Sequence, residues 1–216
     1  MGTPRAIWKH ERRQADRIAR ALLEPPGGSP PWWALVLPSR LAPYLTYRRG
    51  LRTTRKNLLF TKKLALGAAR AVIAGEDRGL ALGSIERRTR DLLDREKRGV
   101  YTEKVRRKQL AEVEILLAHY LRLLRAGGRS LEDGARACYP DRNAYLAHLR
   151  RLHEAEQGVI QASIATVRKG SKQERTRWFR RLSELSEKVR LEEADRFFPP
   201  EGAAPRREGG GRKPFT

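Results

Sequence analysis

The chain has 216 residues, with 47 Lys and Arg against 25 Asp and Glu, and its formal net charge at pH 7 is +22. This length suits one medium domain or two small ones, and 39% hydrophobic residues are enough to build a core. A single cysteine, Cys138, excludes a disulfide framework. The longest nearly uncharged run, 32–47, contains Arg40, Pro38 and Pro43, so the sequence predicts no transmembrane helix.

The first 75 residues divide into a helix, a linker and a second helical segment. Thr3 can cap a helix over 4–23, with Pro4 at its first position. The sequence PPGGSPP at 25–31 predicts a linker. We then expect irregular helical turns over 32–43 and a long helix over 44–74, with a kink at Gly50.

Capping residues and apolar spacing predict further helices over 76–198. The expected N-caps are Asp77 or Ser84, Thr102, Ser130, Asp141 and Ser171. Two of them begin capping-box patterns, because Asp133 and Glu174 follow Ser130 and Ser171 by three residues. Gly127 and Gly128 predict a helix C-terminus.

These patterns together predict an all-α fold, a helical bundle of about five to seven helices with antiparallel neighbours. The expected organisation is an N-terminal helix (1–24), a Pro/Gly linker (25–31), a basic segment (32–75), a bundle domain (76–198) and a disordered basic tail (199–216).

The strongest functional signal is an imbalance of charge over 25–75. This stretch contains no Asp or Glu and nine basic residues: Arg40, Arg48, Arg49, Arg52, Arg55, Lys56, Lys62, Lys63 and Arg70. The helical segments further along the chain mix acids with bases, which is typical of solvated faces. A segment with charge of one sign indicates a surface that binds a polyanion.

Aromatic and aliphatic residues precede the bases in this segment. As a membrane contact, Trp32, Trp33, Tyr44 and Tyr47 would lie at headgroup depth, with the bases on anionic lipid. As a nucleic-acid contact, the Lys and Arg side chains would bind phosphates, while the aromatic rings would stack on unpaired nucleobases. The third interpretation is structural, with the aromatic residues packed on the bundle. The aliphatic content favours the membrane. The predicted contact residues are Trp32, Trp33, Tyr44, Tyr47, Arg48, Arg49, Arg52, Arg55, Lys56, Lys62 and Lys63.

The sequence offers no recognisable catalytic or metal-binding pattern. His148 and His153 are five residues apart, whereas a helical zinc pair needs a spacing of four. None of His119, His148 and His153 follows a Glu by three residues, as a di-iron bundle requires. We therefore interpret the histidines, His10 included, as surface or capping residues and predict no catalytic residues, no metal and no cofactor.

The functional prediction is a non-enzymatic binding or scaffold protein. The chain begins with a charged helical pattern rather than an apolar leader, so we expect a cytoplasmic protein. Its leading partner is the anionic inner leaflet of a membrane, where it would be peripheral, and RNA or DNA is the alternative. The bundle would present a surface to a protein partner or to a second copy of the chain.

Overall fold

The computed structural model describes residues 3–25, 38–97, 99–166 and 171–199, and within these ranges the protein is all-helical. The helices are α1 (Pro4–Leu22), α2 (Pro38–Leu58), α3 (Phe60–Ile73), α4 (Arg78–Asp94), α5 (Glu103–Ala126), α6 (Leu131–Cys138), α7 (Arg142–Ile164) and α8 (Lys172–Phe197). The all-α prediction is confirmed. The described ranges contain eight helices, one more than the upper limit expected from the sequence.

The additional helix comes from the basic segment. The long helix expected over 44–74 is two helices, because α2 begins at Pro38 and ends at Leu58, and α3 begins at Phe60. Leu59 between them keeps helical hydrogen bonding, since its N–H donates to the Arg55 carbonyl at 3.0 Å, but its ψ of −4° departs from regular helix. Gly50 does not end α2. A side chain at Gly50 would lie 3.3 Å from Leu23, so this glycine allows α2 to approach the end of α1.

The predicted caps hold the helix ends. The Thr3 side chain accepts from the Ala6 N–H at 3.2 Å, and Asp77, rather than Ser84, caps α4. Both capping boxes are formed, at Ser130 and at Ser171. A cap of this kind stabilises a helix by about 1 kcal/mol, so these short polar contacts fix where each helix starts.

The main hydrophobic core is built around α5. This helix packs against α3, α4, α6 and α7, and Leu116, Leu117 and Tyr120 on it are fully buried. Small residues of α3, Ala65 and Ala69, are also fully buried in this core, which lets the α3 backbone approach α5 closely. The core also includes Ile7 of α1, so it crosses the domain boundary predicted at 75/76.

A second apolar cluster joins α1 to α8. Ile18 and Leu22 of α1 are buried against Leu182 and Val189 of α8, and Leu58 at the end of α2 packs on their edge. The main contacts of α2 are with α1 and α3, and α2 therefore lies at the periphery of the bundle.

Candidate polyanion-binding surface

The described side chains of α2 leave most of its basic residues at the surface. Between residues 45 and 58 no side chain is fully buried. The helix contacts α1 at Gly50 and through an ion pair between Arg55 and Asp16 at 3.3 Å. One face is therefore anchored, and the opposite face is open to solvent.

Four exposed bases line this open face. Arg48, Arg49, Arg52 and Lys56 follow one another at helical spacing, and we call them the basic stripe. Among the described residues none of them forms an ion pair, and α2 contains no acid that could neutralise them. Leu45, one turn before Arg48 and Arg49, is 49% exposed and gives the stripe an apolar end. On α3, Lys63 is exposed as well.

Two predicted contact residues face the protein instead of solvent. Arg55 pairs with Asp16, and the Lys62 ammonium lies 2.6 Å from a Glu11 carboxylate oxygen, with the Lys62 side chain only 13% exposed. Arg55 and Lys62 are seven residues apart, two helical turns, so both lie on the side of the segment that faces α1. They attach the basic segment to the bundle and leave the basic stripe as the accessible part.

The Lys62–Glu11 pair has the electrostatics of a buried ion pair. Burial by itself would lower the pKa of Lys62, but the adjacent Glu11 carboxylate outweighs it and the pKa is raised. Burial likewise would raise the pKa of Glu11, yet Lys62 and then His10 bring it down to about 2. Both groups are therefore charged at neutral pH.

The aromatic part of the predicted contact is only partly described. Tyr47 is half-buried, on the side of α2 away from the centre of the stripe. The side chain of Tyr44 is not among those described, and Trp32 and Trp33 lie outside the described residues. Their role as membrane anchors stays a prediction from the sequence.

The histidines contradict their predicted position. His119 and His148 are half-buried between α5 and α7, with their rings stacked at a centroid distance of 4.4 Å, and His119 Nδ1 is 2.8 Å from the Tyr139 hydroxyl. Burial lowers the pKa of His119 to about 4 and that of His148 to about 3, so both rings are neutral at pH 7. The prediction of surface or capping histidines is wrong for this pair.

A polar cluster of α1, α7 and α8 lies next to these rings. Glu193 accepts hydrogen bonds from Gln14 and the Tyr145 hydroxyl and lies 3.1 Å from His10, while Arg190 pairs with Glu156. Residue spacings within single helices do not reveal this cluster, because its members come from different helices. The apolar residues three and four positions from His148, Tyr145 and Leu152, were the available signal that this histidine faces inward.

The buried cluster provides no metal site. Within the described residues no group of three or more His, Cys, Asp and Glu side chains is placed to hold a metal ion.

None of the helices in the described ranges is both long and apolar enough to cross a membrane.

Comparison with protein-family models finds no match, and no curated protein or solved structure matches the chain. The fold and the surface therefore define only a structural class of protein. The class is an all-helical bundle with an exposed basic stripe on a peripheral helix.

Proposed function

We propose that this protein is a non-enzymatic, peripheral binding protein that docks through the basic stripe of α2 on the anionic cytoplasmic face of a membrane. The observation that carries the proposal is the stripe itself: Arg48, Arg49, Arg52 and Lys56 are exposed together on one face of a peripheral helix and have no ion-pair partner among the described residues. The net charge of +22 adds a long-range attraction to any anionic surface.

The strength of such a contact can be estimated from its charges. Each base near an anionic leaflet contributes about 1 kcal/mol, so the four bases give about 4 kcal/mol, which corresponds to a dissociation constant of about 1 mM. Stable docking therefore needs an apolar contribution as well. Exposed Leu45 supports it, and the predicted aromatic residues of 32–47 would supply more. The aliphatic residues of 32–47 favour lipid over nucleic acid as the partner, because stacking on nucleobases does not require them.

Co-sedimentation with vesicles of phosphatidylserine and phosphatidylcholine tests the proposal. Replacing three arginines of the stripe (Arg48→Gln, Arg49→Gln and Arg52→Gln) should remove about 3 kcal/mol, a loss of about a hundredfold in partitioning. A matched control replaces exposed arginines elsewhere, Arg87, Arg88 and Arg125, with Gln. It lowers the net charge by the same amount and should retain most of the binding.

Salt dependence and a competitor separate lipid from nucleic acid. Binding to the membrane should weaken with salt but persist in part through the apolar contact, whereas a contact made to phosphates alone loses orders of magnitude. Binding to single-stranded RNA that is abolished by salt, with no binding to vesicles, would replace the membrane with nucleic acid as the partner. Equal losses in the stripe variant and the control would show that net charge, not the stripe, determines binding.

A further inference from the structure

A large cavity lies beneath the junction of α2 and α3. Its volume is about 790 Å³, and ligand cavities are typically about 300–1,000 Å³. It is bounded by the C-terminal ends of α2, α4 and α7 and the N-terminal ends of α3, α5 and α8. Its wall is mostly apolar and includes Leu58, Phe60, Val105, Ile160, Trp178 and Phe179. Such a lining suits the hydrocarbon part of a small molecule.

One carboxyl in this wall lacks a cationic partner. The side chain of Glu112 on α5 is 4% exposed, and its carboxyl accepts a hydrogen bond from the Thr61 hydroxyl at 2.6 Å. Both residues line the cavity. Among the described residues, no Lys, Arg or His forms an ion pair with Glu112. A carboxylate in an apolar wall is costly unless a cation or further donors compensate it.

The neighbouring carboxyls are compensated. Three partly buried acids of the bundle each contact a basic side chain: Glu11 with Lys62, Glu193 with His10 and Glu156 with Arg190. The protein therefore pairs each of these internal acids with a base, and Glu112, which faces the cavity, is the exception. A cation that enters from the cavity would therefore be the pairing partner of an ionised Glu112.

Charged groups from three neighbouring helices act on Glu112. They are Glu156 of α7, Lys62 of α3 and Arg190 of α8, and the neutral Tyr120 hydroxyl of α5 also lies within electrostatic reach. Burial, and then the Glu156 carboxylate, raises the pKa of Glu112 to about 8, while Thr61, Lys62 and Arg190 act in the opposite direction. The carboxyl is thus largely protonated at pH 7, and a cation bound beside it would lower its pKa and displace a proton.

We propose that the cavity binds a small apolar molecule that carries a protonated amine, with its hydrocarbon part among the apolar residues of the wall and its ammonium on the Glu112 carboxylate. A carboxylate ligand would place a second acid beside Glu112 and is disfavoured.

Isothermal titration calorimetry with three probes of equal chain length tests the assignment. The probes are n-octylamine, n-octanol and octanoate, with salt at about 0.1 M so that the charge of the whole protein is screened beyond about 10 Å. A charged hydrogen bond to Glu112 should make the amine bind roughly tenfold more tightly than the alcohol, and octanoate should bind most weakly. Titrations in two buffers of different ionisation enthalpy should show release of roughly one proton per amine bound.

Two variants on one helix locate the effect. Glu112→Gln keeps the size of the side chain and an acceptor for Thr61 but cannot ionise, so the amine should lose its tenfold advantage over the alcohol and the proton release should disappear. Glu114→Gln, on the exposed side of α5, should leave both unchanged. If Glu112→Gln does not fold, the order of the three probes and the proton release of the unaltered protein decide alone.

Three results would overturn the proposal. They are equal affinities for the three probes, preference for octanoate, and an amine preference that persists in Glu112→Gln. Failure of the vesicle experiment would have no bearing on these outcomes, since the cavity and the basic stripe share only Lys56 and the stripe variant leaves Lys56 unchanged.

Discussion

Lys62 and Glu11 form an ion pair between α3 and α1, with 2.6 Å between Nζ and Oε2, while the next residue, Lys63, is exposed. The Glu11 carboxylate also accepts a hydrogen bond from the Tyr120 hydroxyl at 2.8 Å. The basic segment is therefore attached to the core of the bundle by one of its own lysines, and its adjacent lysine is free to meet solvent.

Replacing the two lysines separately should give very different stabilities. Lys62→Met leaves the buried Glu11 carboxylate without its cation, and breaking a buried pair in this way destabilises by about 3–5 kcal/mol. Lys63→Met removes the same charge from the surface and should change the free energy of unfolding by no more than about 0.5 kcal/mol. Urea denaturation followed by circular dichroism measures both.

A second substitution tests the cause of the effect. Adding Glu11→Gln to Lys62→Met removes the unpaired carboxylate while keeping an acceptor for Tyr120, and it should restore part of the lost stability. Glu11→Gln alone is measured as well. If the double variant loses as much stability as Lys62→Met and Glu11→Gln lose together when measured separately, the two side chains do not interact energetically, and the ion pair has no part in holding α3 to α1.

The half-buried histidines His119 and His148 should make the protein sensitive to mild acid. The folded-state pKa of His148 is lowered to about 3 from an ordinary value of 6.5, so between these values the unfolded chain binds a proton that the folded protein does not. The contribution of this histidine to the free energy of unfolding is therefore full above pH 6.5 and falls as the pH is lowered from 6.5 towards the folded-state pKa. His119, with a pKa of about 4, acts in the same direction, whereas Glu112 opposes it.

A phenylalanine in place of His148 isolates this contribution. His148→Phe keeps a ring against His119 and loses no hydrogen bond within the described structure, where the buried Nε2 has no partner. Between about pH 7 and about pH 5, the variant should lose less stability than the unaltered protein. Urea midpoints at both pH values, compared between the two proteins, measure the difference. Identical losses would show that His148 takes up no proton on unfolding between these two pH values.

Local signals in the sequence were sufficient to predict most helix ends. Thr3, Ser130 and Ser171 cap helices where predicted, because a cap bonds to a backbone N–H only three residues away. The break at Leu59 has no comparable signal, since neither Gly nor Pro stands there. Its position depends on how α2 and α3 pack on the bundle, and local helix propensity carries no information about that packing.

Predicting the site, unlike predicting the helix ends, requires knowledge of contacts between residues that are distant in the sequence. The charge count identified the basic segment, but it did not show which bases are internal, because Asp16 and Glu11, the partners of Arg55 and Lys62, lie in another helix. The contact of Glu112 with Thr61, across 51 residues of sequence, was missed for the same reason. A comparison of acids only within one helix could not find it.

Two glycines should respond in opposite ways to the same added methyl group. Gly128, in the turn between α5 and α6, has a φ of +114°, and a Cβ there would lie 3.0 Å from the Gly134 backbone nitrogen. Gly67 is inside α3, and a Cβ there would meet nothing within 4 Å. Gly128→Ala should therefore cost about 1–3 kcal/mol from strain and crowding, and Gly67→Ala should stabilise by about 0.5–1 kcal/mol through helix propensity.

Urea denaturation of these two variants tests the turn geometry. The midpoint should fall for Gly128→Ala and rise for Gly67→Ala, with the slope of the transition unchanged in both, because neither substitution alters the surface exposed on unfolding. Each variant is the other's control, since both add one methyl group to the chain. A midpoint that rises for Gly128→Ala would mean that residue 128 adopts a negative φ in solution, and the connection from α5 to α6 would then follow a different path.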